Sequence, residues 1–261
     1  MNRIDEKFRE LKEQNKKALI TFVTSGDGGY ETTINSVRAM VKAGADIIEL
    51  GVPFSDPVAE GPVIQNASER AISSGTTLKG IFEMVKEIRK ETDIPLLLMM
   101  YLNTIFRFGT ERFFSLCDEC GIDGVIVPDM PFEEKDEIQQ YAEKYNKYSI
   151  SLVAPTSEDR IKKIAESAKG FLYCVSSTGV TGTRSEFSTD FDRFFSKIKE
   201  YSKIPYALGF GISDAEQTRE MKKYCDGVIV GSAIVKIIGD YGKQSEKKVF
   251  EFVKGLREAL D

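Results

Sequence analysis

Glu49, Asp56 and Glu60 fall in one short segment, IIELGVPFSDPVAEGP, at residues 47–62. Glu49 interrupts an apolar run made by Ile47, Ile48 and Leu50, the kind of run that is buried in a parallel sheet. An ionised carboxylate is costly to bury without a partner. Two readings are open. Glu49 is a structural acid paired with an Arg or Lys from elsewhere in the chain, or it is a proton-transfer group whose surroundings raise its pKa. Gly51, Pro53, Pro57, Gly61 and Pro62 break regular structure, so Asp56 and Glu60 ride on a loop directly after the run. A second set of residues suggests anion binding. Gly179-Val180-Thr181-Gly182, Gly209-Phe210-Gly211 and Gly231-Ser232 each follow an apolar run. Glycines let backbone N–H groups approach an anion closely, and a short helical start after Ser232 adds its dipole. Each set alone reads equally well as a tight turn; three of them after successive runs favour a phosphate cup. Tyr173 alternates with Cys174 in FLYCVS and is either a phenol aimed into a site or a core aromatic.

The composition narrows the chemistry. The chain contains no histidine, so Ser–His and Cys–His nucleophiles are excluded. Acid–base work falls to Glu, Asp, Lys or Tyr. None of the apolar runs carries a lysine, and Lys236 lies beyond the last of them, which argues against an imine-forming enzyme. Cys117 and Cys120 form a CxxC, but there is no second CxxC, and Cys174 and Cys225 stand alone. Buried, reduced thiols are expected, and no metal site. The net charge of −5, with no long basic run, argues against nucleic acid as a partner. No apolar run approaches the ~20 residues that span a membrane. The N-terminal segment MNRIDEKFRELKEQNKK has no apolar signal core. A cytoplasmic protein is expected.

The elements that must position these groups alternate. Short apolar runs at 18–23, 46–50, 95–101, 124–127, 149–154, 171–176, 206–208 and 226–230 read as strands. Between and around them, helical periodicity covers 2–16, 31–43, 64–73, 78–91, 110–119, 133–145, 157–168, 190–201, 214–223 and 245–260, with a short helix beginning near 233. Eight strand–helix repeats in 261 residues predict an α/β fold, one (β/α)8 TIM barrel spanning residues 1–261. Such barrels typically take ~250 residues. Extra helices are expected before strand one and after strand two. No GxGxxG follows the first strand, so a dinucleotide-binding fold is not favoured. In a barrel the active site lies at the C-terminal strand ends, where the three glycine-containing turns and the loop that carries Asp56 and Glu60 fall.

The motifs also carry a resemblance. ELGVPFSDPVAEGP at 49–62 resembles the signature of the tryptophan synthase alpha chain family. ALITFVTSGD at 18–27, VIVPDMP at 125–131, YCVSSTGVTGTR at 173–184, GFGIS at 209–213 and VGSAIVK at 230–236 follow in the family's order. The resemblance covers essentially the whole chain. It implies a lyase that cleaves indole-3-glycerol phosphate to indole and glyceraldehyde 3-phosphate. It implies no cofactor in this chain. It also implies a pyridoxal-phosphate-dependent β partner, in a complex of two α and two β chains, that receives the indole. Glu49 matches the family's catalytic acid–base. Gly182, Gly211, Gly231 and Ser232 match phosphate-site positions, and Tyr173 and Phe210 match pocket-lining residues. Thr181 matches the threonine of a closing loop, and Asp56 its partner. The absence of tryptophan suits an enzyme made when tryptophan is scarce.

The chain departs from the family at one position. Where the family usually reads A-D-G-P, this chain reads Ala59-Glu60-Gly61-Pro62. The family aspartate accepts the indole N–H. Glu60 keeps the charge and adds a methylene, which moves the carboxylate by on the order of 1 Å unless the loop adjusts. The loop compensates, or cleavage is slow and depends on the partner, or the chain is chiefly a phosphate-ligand-sensing partner that activates β. A related barrel, indole-glycerol phosphate synthase, needs a lysine general acid at a strand end, and none is visible here.

Overall fold

A computed structural model describes residues 1–155, 157–175, 191–209 and 211–261. Eight parallel strands close into a barrel in sequence order. They are β1 (Ala18–Thr24), β2 (Ile47–Gly51), β3 (Leu96–Met99), β4 (Gly124–Ile126), β5 (Tyr148–Val153), β6 (Leu172–Val175), β7 (Tyr206–Gly209) and β8 (Gly227–Val230). β8 pairs back onto β1, with Ala18 opposite Gly227 and Thr21 opposite Val230. The predicted (β/α)8 architecture is the observed one.

Most strands are buried on both faces, β5 being only partly so, and the two faces serve different cores. One alternating set, including Leu19, Ile48, Leu50, Leu98 and Val125, packs outward against the helices. The other, including Ile20, Ile47, Leu97, Ile126, Ile150 and Ile229, fills the barrel interior. The outer layer begins with α1 (Arg3–Glu13) and α2 (Tyr30–Lys42). After β2 come α3 (Pro62–Ser73) and α4 (Leu78–Arg89). After β3 come α5 (Leu102–Phe108) and α6 (Thr110–Cys120). Then follow α7 (Asp136–Lys144), α8 (Glu158–Ser167), α9 (Phe191–Tyr201), α10 (Ala215–Met221), α11 (Ser232–Tyr241) and α12 (Glu246–Leu260).

The extra helices expected before β1 and after β2 are α1 and α3. A further one, α5, differs from the expectation of a strand over 95–101. β3 stops at Met99, and Tyr101 is already the extended N-cap of α5. The apolar run PLLLMMY is continuous, so its composition does not mark where the strand ends. Gly109, at φ 93°, separates α5 from α6.

α1 closes the N-terminal end of the barrel. Its buried face of Ile4, Phe8 and Leu11 joins the interior core, and the Phe8 ring lies 5.6 Å from that of Phe171. Buried polar hubs fix this end. Asp123 accepts from Arg3 (2.9 Å), Arg89 (2.8 Å) and the Leu96 N–H (2.9 Å), and Asn2 donates to the Asp123 carbonyl (2.8 Å). Burial lowers the Arg89 pKa to about 10. Arg257 of α12 pairs with Asp46 at 3.0 Å, and Asp46 also accepts the Leu19 N–H. With one end plugged, only the C-terminal strand ends are open to a ligand. No described helix is long and apolar enough to cross a membrane.

Candidate active site

β2 carries Glu49 into the barrel interior because Phe22 of β1 and Leu97 of β3, its lateral neighbours in register, point inward. The side chain is fully buried. Neither carboxyl oxygen has a hydrogen-bond partner among the described residues, and no Lys or Arg there pairs with it. The reading of a structural acid held by a cation is therefore not supported. Loss of hydration alone raises its pKa to about 8, so the group is a neutral acid at pH 7 that can still give up a proton.

Six of the sequence-derived residues line one cavity at the C-terminal strand ends: Glu49, Glu60, Tyr173, Gly211, Gly231 and Ser232. Phe22, Ile64, Met99, Leu152 and Ile229 supply its apolar walls. Tyr173 is buried and turned into the interior, and burial together with the nearby Glu49 pushes its phenol pKa well up. Its ring needs the space that Gly209 leaves. A Cβ on that glycine would lie 2.6 Å from the Tyr173 ring and hydroxyl. Gly209 in Gly209-Phe210-Gly211 thus serves the aromatic wall, and Gly211, at φ 92°, lines the cavity.

Across from Glu49, Gly231 is the N-cap of α11, and Ser232 opens the helix without a side-chain cap. The first-turn N–H groups and the helix dipole face the same cavity, an arrangement suited to a phosphate. The described lining contains no Lys or Arg, so among the described residues anion binding here falls to backbone donors and the Ser232 hydroxyl.

Glu60 is half-buried on the loop after β2. The Tyr101 hydroxyl donates to its carboxylate, and Gln65 donates to its backbone carbonyl at 2.8 Å. Burial raises its pKa, and the Tyr101 hydrogen bond opposes the rise. Asp56 is exposed, held by the neighbouring Ser55 hydroxyl, and lies outside the cavity lining. Thr181, Gly182 and Phe210 lie outside the described residues.

Two site residues escaped the sequence reading. Tyr101 holds Glu60, and Asp129 accepts the Leu102 N–H at 3.0 Å, which secures the start of α5. Their position just beyond β3 and β4, at the face where a barrel keeps its chemistry, was the available signal. Cys117 and Cys120 are buried on one face of α6, and burial raises both thiol pKa values. No cluster of three or more His, Cys, Asp or Glu converges among the described residues.

A larger groove of about 310 Å³ runs between α7 and α8 over the outer face of β5. Of the four described cations that line it, three are ion-paired, Lys147 with Asp118, Arg160 with Glu133 and Lys169 with Glu143, and Lys135 lies over the Phe132 ring. Among the described residues it holds no buried polar side chain without a hydrogen-bond partner, as Glu49 is, so the smaller cavity around Glu49 is the candidate site.

Comparison with known proteins bears on that site. The family model for the tryptophan synthase alpha chain matches residues 8–260. A tryptophan synthase alpha chain from Caldanaerobacter subterraneus subsp. tengcongensis is 50% identical over 262 aligned residues, covering 100% of both chains. Among solved structures, tryptophan synthase subunit alpha from Legionella pneumophila str. Paris superposes with a TM-score of 0.90 at 36% identity, covering 100% of this chain and 99% of its own. A chain from the tryptophan synthase a2b2 complex of Pyrococcus furiosus gives a TM-score of 0.85 at 35% identity, with 92% of this chain and 98% of that chain covered.

Proposed function

The chain belongs to the tryptophan synthase alpha chain family, a lyase that cleaves indole-3-glycerol phosphate to indole and glyceraldehyde 3-phosphate, and we propose that Glu49 and Glu60 carry the chemistry. One observation supports this above the others: a buried carboxyl without a hydrogen-bond partner among the described residues shares a cavity with a second carboxylate and a helix N-terminus that has no side-chain cap.

The substrate phosphate sits at Gly211, Gly231 and Ser232, with Gly182 completing the cup. The indole lies between Tyr173, Phe210 and the apolar walls. Glu49, protonated at the start, delivers its proton to indole C3. The ring then carries a positive charge that reaches the nitrogen, where the Glu60 carboxylate accepts the N–H and offsets the charge. The Glu49 carboxylate next takes the proton of the adjacent glycerol hydroxyl. The C–C bond breaks, its electrons restore the aromatic ring, and the hydroxyl carbon becomes the aldehyde. Glu49 ends protonated, as it began. Such a shuttle needs a pKa near the working pH, and burial supplies it.

Thr181 and Asp56 close loops over the site and relay its occupancy to a β chain. That β chain holds pyridoxal phosphate and receives the indole, and this chain needs no cofactor of its own. Two α and two β chains form the complex, the a2b2 arrangement named for the Pyrococcus furiosus protein. The protein is cytoplasmic and forms one barrel domain over 1–261. A phosphate-sensing role without cleavage is not favoured, because both carboxyl groups line the cavity.

The test is indole release from indole-3-glycerol phosphate by the purified chain, alone and with its β partner. Slow release alone and a large rise with β are expected. Glu49→Gln is expected to release none while still binding glycerol 3-phosphate. Turnover by that variant would remove Glu49 from its role.

A further inference from the structure

We propose that Tyr101 is a positioning residue for Glu60, and that the two form a matched pair in which the longer acid reaches its place because the phenol holds it there. The proposal rests on the reading of Glu60 as the acceptor of the indole N–H.

The hydroxyl of Tyr101 is a hub. It donates to the Glu60 carboxylate and accepts the N–H groups of Val58 (2.9 Å) and Ala59 (3.0 Å). Its donor and both acceptor positions are thereby used. The ring stacks on Phe54, with centroids 4.6 Å apart and planes 20° from parallel. One side chain therefore grips the loop after β2 near its start, at Phe54, and near its end, at 58–60. Between these grips Ser55, Asp56 and Val58 are exposed. The phenol is itself fixed, because Tyr101 caps α5 and the next residue's N–H is held by Asp129.

This geometry accounts for a glutamate at 60. With the loop fastened by the Tyr101 oxygen, an aspartate would draw its carboxylate back by on the order of 1 Å, enough to lose a hydrogen bond. The extra methylene spans that gap. Tyr101 also acts on charge. The titratable groups around the Glu60 carboxyl are Tyr101 beyond β3, Asp129 beyond β4, and Glu49 and Tyr173 across the cavity. Burial and Asp129 favour the neutral acid, and the Tyr101 hydrogen bond favours the carboxylate that the reaction requires.

The test uses the full chain with its β partner and indole-3-glycerol phosphate. It compares the parent, Tyr101→Phe, Glu60→Asp and the double variant. Tyr101→Phe keeps the ring and its stacking. It is expected to lower kcat about tenfold with little change in KM, and to move the acid limb of the kcat–pH profile upward. In the Glu60→Asp background the same change is expected to cost less than about twofold, because the shorter acid does not meet the phenol. Glu60→Asp alone is expected to lower kcat. Equal losses in both backgrounds, an unmoved acid limb, or a gain in kcat from Glu60→Asp would each overturn the pairing. A parent chain that releases no indole, or a Glu49→Gln variant that does, would instead overturn the underlying reading.

Discussion

Glu49 shows what one side chain's surroundings do to its chemistry. With a pKa of about 8 in the fold, it is mostly protonated at pH 7 and ready to act as an acid. The alkaline limb of kcat is therefore expected near pH 8, where the starting proton is lost. In the proposed mechanism the acid limb belongs to Glu60, which must be ionised. A pH–rate profile without an alkaline limb would count against a protonated Glu49. The same shift has a consequence for stability. From about 4.5, the ordinary value of a glutamate, up to about 8, the folded protein keeps a proton that the unfolded chain releases. Stability attributable to this group is full below the unfolded pKa and is lost as pH rises through the folded one. Glu49→Gln has no proton to lose. It is expected to be more stable than the parent by about 3 kcal/mol at pH 7, with no advantage near pH 4. Urea unfolding at the two pH values measures this. Glu49 was legible because an acid in an apolar run is conspicuous by itself. Tyr101 was not, because its partner is forty-one positions away in the chain.

At the scale of elements, the end of β7 positions the aromatic wall. Gly209→Ala would place a methyl within 2.6 Å of the Tyr173 ring, and neither strand has room to give. A loss of about 1–3 kcal/mol is expected, together with a fall in kcat/KM as the ring is displaced. Thermal unfolding and indole release would register the two effects. A second tie joins α3 to the turn after β1: Arg70 makes a two-pronged pair, 2.8 Å at each contact, with the buried Asp27. Arg70→Ala leaves that carboxylate without its cation. Since Arg70 is itself half-exposed, a loss of about 2 kcal/mol is expected in the same unfolding assay. α3 begins directly after Glu60, so this tie also steadies the site. The strands and most helices were readable from periodicity, since burial on both faces leaves continuous apolar runs in a parallel barrel. α5 was not readable, because one apolar stretch serves first as strand and then as cap and helix.

For the whole molecule, the two ends of the barrel divide the work. The end closed by α1 carries apolar packing and the Asp123 hub, and the opposite end carries Glu49, Glu60 and the α11 N-terminus. Phe8→Ala removes a buried ring from the plug. It is expected to cost about 3 kcal/mol in chemical denaturation while leaving KM unchanged. A raised KM would mean that the plug and the site are coupled through the interior core.

The sequence by itself determined the architecture and pointed to carboxylate acid–base chemistry at the C-terminal strand ends, and its resemblance to a family implied the reaction class. Hydrophobic periodicity, the absence of histidine and the glycines after successive strands are local properties, and they survive without coordinates. Only the tertiary structure decided that Glu49 has no cation beside it among the described residues, that Gly209 makes room for Tyr173, and that Tyr101 holds Glu60. Each of those depends on closure of the sheet, which brings together side chains far apart in the chain, and a pKa or a hydrogen bond is set by what those neighbours exclude or supply.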